Sequence, residues 1–127
     1  VNYKGAARMI QSCIPYMGKG RKGHIVNITS MGGFQGSVKF PGLSIYSSSK
    51  GALAILTESL AEELAGSGIS VNALAFGAVQ TEMLATAFPD FRAPVSAEEM
   101  ADFVVDFSVR GGRYMNGKVL PVSVSTP

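Results

Sequence analysis

The sequence sets Tyr46 four residues ahead of Lys50 in "IYSSSKGALA", residues 45–54. On a helix that spacing puts both side chains on one face. A phenol with a pKa near 10 is a poor proton carrier at neutral pH. A lysine cation about 4–5 Å away stabilises the phenolate by roughly 3–4 kcal/mol at an effective dielectric of about 20. That is enough to make such a pair a general acid/base. The bland alternative is a tyrosine packed at a helix start beside a snorkelling lysine. With 4 tyrosines in 127 residues, the pair alone does not choose between them.

Other chemistries are poorly supplied. There is 1 cysteine (Cys13) and 1 histidine (His24). That excludes an internal disulfide framework and leaves too few ligands for a protein-built zinc site, so no metal is expected. His24 stands where a strand should begin and reads as a partly exposed structural residue. A lone cysteine suits a cytoplasmic protein. No apolar run approaches the ~18 residues of a membrane span. Residues 1–57 carry Lys4, Arg8, Lys19, Arg21, Lys22, Lys39 and Lys50 with no acid, whereas all 9 acids follow. No basic helix face is interleaved with aromatics, so nucleic acid is not an expected partner. The chemistry must come from Ser, Thr, Tyr, Lys, Asn or carboxylates.

The elements that would position the pair follow from periodicity. Residues 2–17 place apolar side chains at 6, 9, 10, 13, 14 and 17, a helical spacing with one buried face, whose last turn Pro15 should weaken. "HIVNITS" (24–30) reads as a short strand ending in hydroxyls, and residues 31–44 as a glycine-rich loop. The spacing of Leu53, Leu56, Leu60 and Leu64 predicts a helix over 45–66, whose small first turns permit close backbone approach. "ISVNALAF" (69–76) reads as a strand buried on both faces. The stretch after it is a loop with one helical turn at most. Ser96 and Glu99 form a capping signature for a helix over 96–109, and 117–124 forms a last strand. Three strands and three main helices in alternation predict an α/β fold with a parallel sheet.

Two motifs are decoys. Residues 18–23 spell Gly-Lys-Gly-Arg-Lys-Gly, but they lie after a helix and before a strand. A dinucleotide fingerprint needs the reverse order, so this is read as a solvated turn. "NIT" at 27–29 is a glycosylation sequon inside a strand expected to be buried.

In a parallel sheet, reactive groups gather at the carboxyl ends of the strands. Thr29 and Ser30 end the first strand, "FGAVQT" follows the second, and Tyr46 opens the helix between them. The order "VNYKGAARMIQSCIPYM", "GHIVNITSMGG", "YSSSK", "ISVNALAFGAVQTEM" and "NGKVLPVSVS" resembles the C-terminal half of a short-chain dehydrogenase/reductase, of the 3-oxoacyl-acyl-carrier-protein reductase kind.

The resemblance runs through residues 1–127 and implies half of a Rossmann-type doubly wound parallel sheet. It also implies that the N-terminal nucleotide-binding half is absent from this chain, so that these residues alone are expected to be inactive. The implied activity is NAD- or NADP-dependent interconversion of a carbonyl and an alcohol. Tyr46 passes the proton, and Ser30, with Thr29 as the alternative, binds the substrate oxygen. Lys50 binds the nicotinamide ribose and supports Tyr46, and Asn2 holds a water toward Lys50. Gly77, Val79 and Thr81 hold the nicotinamide end. The implied partners are a small-molecule substrate and further copies of the chain, as a dimer or tetramer through the 45–66 helix.

The chain departs from the family pattern in a wider Ser30-to-Tyr46 spacing, in Phe76 where Pro is common, and in a short Thr81-to-Ser96 segment suited to an open or small pocket. A competing reading keeps the fold without turnover, as a nucleotide-sensing or structural protein.

Overall fold

The most continuous apolar run in the chain becomes its central strand. In a computed structural model, which describes residues 1–124, "ISVNALAF" forms β2 (Ile69–Phe76), buried without a break from Val71 to Ala75. The strand β1 (Gly23–Ser30) lies parallel to β2 on one side, with Gly23 opposite Ile69 and Ser30 opposite Phe76. On the other side lies β3 (Val119–Val122), also parallel, with Ala73 opposite Val119. The expected last strand is thus confined to four residues, because Gly117 turns the chain at φ 71° just before it. Ser125, the last residue of the closing motif, lies outside the described residues.

Helices make the crossovers. The β1–β2 connection is carried by α2 (Ser44–Glu63), close to the expected 45–66. Its deepest line is not the leucine stripe but Leu53, Thr57 and Ala61, and Leu56, Leu60 and Leu64 flank it half-buried. Small side chains let the helix settle close to the sheet. The polar member of that line is satisfied from both sides. Thr57 Oγ1 accepts from buried Asn27 Nδ2 at 2.9 Å and donates to the Leu53 carbonyl at 2.9 Å. Replacing Thr57 by Val keeps the shape and leaves the Asn27 amide buried without its acceptor. We expect Thr57→Val to lower stability by about 2 kcal/mol, read as a shift in the urea midpoint.

The β2–β3 connection holds α3 (Glu82–Ala87) and α4 (Ala97–Arg110). The capping signature forms as expected: Ser96 Oγ accepts from the Glu99 N–H at 3.2 Å, and Glu99 Oε2 accepts from the Ser96 N–H at 2.8 Å. α3 is an addition to the three helices expected. Its six residues are too few for a periodicity signal, but Thr81 caps it by accepting from the Leu84 N–H at 3.2 Å. A bridge between Gln80 and Ser96 closes this short segment against itself.

At the opposite end of the sheet His24 has the structural role expected of it. Asn72, fully buried, donates from Nδ2 to the Met115 carbonyl at 2.9 Å and lies 3.0 Å from His24 Nε2. An amide nitrogen only donates, so Nε2 accepts, and Nδ1–H is left to donate to the Ser108 carbonyl 3.0 Å away. That chain of bonds ties β1, β2 and the end of α4 together.

The first helix, α1 (Lys4–Cys13), is shorter than the expected 2–17. It passes into a 3-10 turn, Ile14–Tyr16, that contains Pro15. Of its expected buried face only Ile10 is fully buried; Ala6, Cys13, Ile14 and Met17 are half-buried and Met9 is 66% exposed. Both decoys resolve as anticipated. Gly18 and Gly20 take positive φ in an exposed turn, and Asn27 of the sequon is buried against α2. Among the described residues no helix is long and apolar enough to cross a membrane, and no cluster of His, Cys, Asp and Glu could hold a metal.

Candidate functional site

The carboxyl ends of β1 and β2 and the first turns of α2 enclose a cavity of about 340 Å³. Ser30, Tyr46, Lys50, Gly77, Val79 and Thr81 all line it. They come from separate segments, brought together because parallel strands present their carboxyl ends on one edge. Asn2 is the one expected site residue that does not line the cavity. It reaches α2 beside Lys50, with Nδ2 3.4 Å from Ser49 Oγ.

Tyr46 and Lys50 share a face of α2 as the spacing requires. Lys50 Nζ stands 5.9 Å from the centre of the Tyr46 ring and donates to the Ile28 carbonyl at 3.0 Å. The cation is therefore drawn toward the end of β1, where it is half-buried and held by the strand. Burial holds the Lys50 ammonium below the usual lysine value. A partly desolvated cation acts through a lower local dielectric than a surface one.

The two adjacent hydroxyls at the end of β1 differ in situation. Thr29 is 2% exposed, and its Oγ1 donates to the Lys50 carbonyl at 2.7 Å. Ser30 accepts from the Gly32 N–H at 3.1 Å and keeps its own proton to give. A Cβ on Gly32 would stand 3.5 Å from Ser30 Oγ and 3.9 Å from Tyr46 Cε1, which puts Ser30 and Tyr46 around one small space. Thr29 instead pins β1 to α2, alongside the Lys50–Ile28 bond. Thr29→Val is expected to cost about 1 kcal/mol in stability and Thr29→Ser markedly less. Urea titration of both variants checks this.

Opposite the polar end, Gly77 donates its N–H to the Val122 carbonyl at 2.9 Å, which holds the start of the 77–81 segment to the sheet. Thr81 accepts from Leu84 and keeps its hydroxyl proton. Phe76, where the pattern expects Pro, ends β2 and lines the cavity. The roof was not legible from spacing. Met83, Leu84 and Phe88 of the α3 segment line the cavity together with Phe40 and Leu43 of the loop before α2. The rings of Phe40 and Phe88 are 5.9 Å apart and 64° to each other, an edge-to-face contact.

Residues 1–91 match the family model described as short chain dehydrogenase. The chain belongs to that family. Among short-chain dehydrogenases it is 43% identical over 83 residues to a 3-oxoacyl-[acyl-carrier-protein] reductase of Thermotoga maritima, covering 65% of this chain and 32% of that one. It superposes on the acetoin dehydrogenase YohF of Salmonella typhimurium with a TM-score of 0.79 and 34% identity, covering 97% of this chain and 52% of that one. The NADP active-site complex of RhlG from Pseudomonas aeruginosa superposes with a TM-score of 0.79 and 26% identity, covering 97% and 54%. The α/β fold is thus that of the Rossmann-type sheet of these short-chain dehydrogenases. The chain spans about half the length of the relatives it matches, or less.

Proposed function

We propose that residues 1–127 are the C-terminal catalytic half of a nicotinamide-dependent oxidoreductase that interconverts a carbonyl and an alcohol. The observation that supports this is the shared cavity, lined by Ser30, Tyr46 and Lys50, with the Lys50 ammonium held by the strand 5.9 Å from the centre of the Tyr46 ring. Ser30 donates to the substrate oxygen, and Tyr46 gives or takes its proton. Lys50 biases Tyr46 and, with the ribose of NAD or NADP bound, donates to that sugar. Gly77, Val79 and Thr81 line the opposite wall, where Thr81 has a proton to give to a carboxamide. The bound nicotinamide supplies or accepts the hydride. Asn2, whose amide reaches Ser49 next to Lys50 in the chain, is assigned a water directed toward the ammonium.

Thr29 is excluded from the substrate-binding role in this reading, because its hydroxyl is committed to Lys50. The remaining, nucleotide-binding part of the Rossmann domain belongs to sequence outside these residues. The exposed Ile45 and Ile55 on α2, 82% and 65% exposed, support association of copies through that helix. The test is hydride transfer by the complete protein, followed by nicotinamide absorbance across a panel of ketones and aldehydes, with Tyr46→Phe as the partner measurement. Turnover that survives at wild-type level in Tyr46→Phe would return the protein to the nucleotide-sensing or structural reading.

A further inference from the structure

The lining of the cavity carries information about what enters it. Among the described residues Lys50 is the one cation that lines it, and no carboxylate does. Lys50 donates to the Ile28 carbonyl and, in the reading above, serves Tyr46 and the ribose, so an anionic substrate would compete with these for the same ammonium. Lys39, on the loop above, turns its ammonium onto the Phe34 and Ser37 carbonyls and Ser37 Oγ at 2.7–3.0 Å. The loop thus holds this ammonium on its own exposed backbone, and Lys39 does not line the cavity. The cavity is open on one side and adjoins a second one along Gly32, Phe40, Leu43 and Ser47, so its volume describes only the part beside the hydroxyls. About 340 Å³ is at the lower end of the range of roughly 300–1,000 Å³ for small-molecule sites. Under the reading above it is shared with a nicotinamide ring.

Two features divide what space is left. Beside the reacting hydroxyls, room exists only because residue 32 has no side chain. A Cβ there would also stand 3.2 Å from Ser47 Oγ, so that a wall of Ser30, Ser47 and Tyr46 surrounds a pocket of about one small group. Away from the hydroxyls, Phe40 and Phe88 offer an edge-to-face aromatic pair continued by Leu43, Met83 and Leu84. Such a pair accepts a flat or extended apolar group.

We propose, resting on the oxidoreductase reading, that the substrate is a small uncharged ketone or its secondary alcohol. Its short substituent, methyl or similar, lies beside Gly32, and its longer apolar substituent lies against Phe40 and Phe88. Gly32 and Phe88 are then the specificity-determining positions.

The experiment uses the complete protein with 4-phenyl-2-butanone, with 3-phenylpropanal (hydrogen in place of the methyl) and with 4-oxopentanoate (a carboxylate in place of the phenyl group). We expect kcat/KM for the phenyl ketone to exceed that for the oxo acid at least tenfold, the order that apolar contacts supply. Gly32→Ala should lower kcat/KM for the ketone tenfold or more and leave the aldehyde within threefold, which a merely structural defect would not do. Phe88→Ala should erase the preference for the phenyl ketone over the oxo acid.

Turnover of the oxo acid equal to or above that of the phenyl ketone overturns the inference and leaves the oxidoreductase reading standing. So does an equal loss for ketone and aldehyde in Gly32→Ala. Hydride transfer to none of a broad carbonyl panel overturns both.

Discussion

Tyr46→Phe in the complete protein is expected to lower kcat by about 10²–10⁴-fold, the range that a positioned proton carrier supplies, with little change in stability. The substitution removes one oxygen. The ring stays on α2 with Lys50 Nζ facing it, and the backbone bond from Ser49 Oγ to the Tyr46 carbonyl at 2.7 Å is untouched. What is lost is the hydroxyl of a ring whose edge faces the space beside Gly32 that Ser30 also borders. Ser30 can still orient a carbonyl oxygen, but it is not backed by a cation, so proton transfer has no substitute route. Because binding contacts survive, KM should move far less than kcat. Single-turnover and steady-state rates with the same ketone separate the two. A loss confined to KM would show that Tyr46 binds substrate without carrying the proton.

Gly33→Ala is expected to cost about 3 kcal/mol, the upper end of the usual overpacking range. The reason is what a methyl group would meet. A Cβ on Gly33 would stand 2.5 Å from the Gly51 nitrogen, 2.6 Å from the Lys50 carbonyl carbon and 2.7 Å from Lys50 Cβ. Two of these are backbone atoms in the middle of a helix, and no rotamer change relieves them. Relief requires the 3-10 turn Met31–Gly33 to lift from α2, which also moves the Ser30 hydroxyl away from Tyr46. The loss of stability and the loss of activity should therefore travel together. Gly5→Ala is the matched control. It is a helix position with nothing within 4 Å of the added carbon, where alanine should stabilise by up to about 1 kcal/mol. Urea midpoints of the two variants should move in opposite directions. A Gly33→Ala midpoint equal to that of the parent would mean the two backbones are not in the contact described.

How much of this was legible in the sequence depends on the kind of signal. β2 was readable to the residue, because a strand buried on both faces is an apolar run with sharp ends. α4 was readable because Ser96 and Glu99 cap it by purely local bonds. The polar wall of the cavity followed from strand ends and the Tyr46–Lys50 spacing. The roof did not. Phe40 and Phe88 lie far apart in the chain within segments that have no period, and their meeting is decided by how the loop and α3 fold over the sheet. The distinct situations of Thr29 and Ser30 were hidden for a related reason. A one-residue step along a strand reverses the face, and which face meets α2 is a tertiary fact.

The helix that bears Tyr46 and Lys50 is also the covalent route from β1 to β2, and that has a consequence in time. The ladder pairing Gly23 with Ile69 closes a loop that contains the whole of α2. Helical turns form within about a microsecond, whereas non-local parallel pairing is slow. The four-residue spacing of tyrosine and lysine is thus established early, by local winding. The serine opposite them, and the carbonyl that draws in the lysine, arrive with the strand. The site is therefore completed by the same long-range pairing that closes the sheet, and the local winding of α2 supplies only the pair.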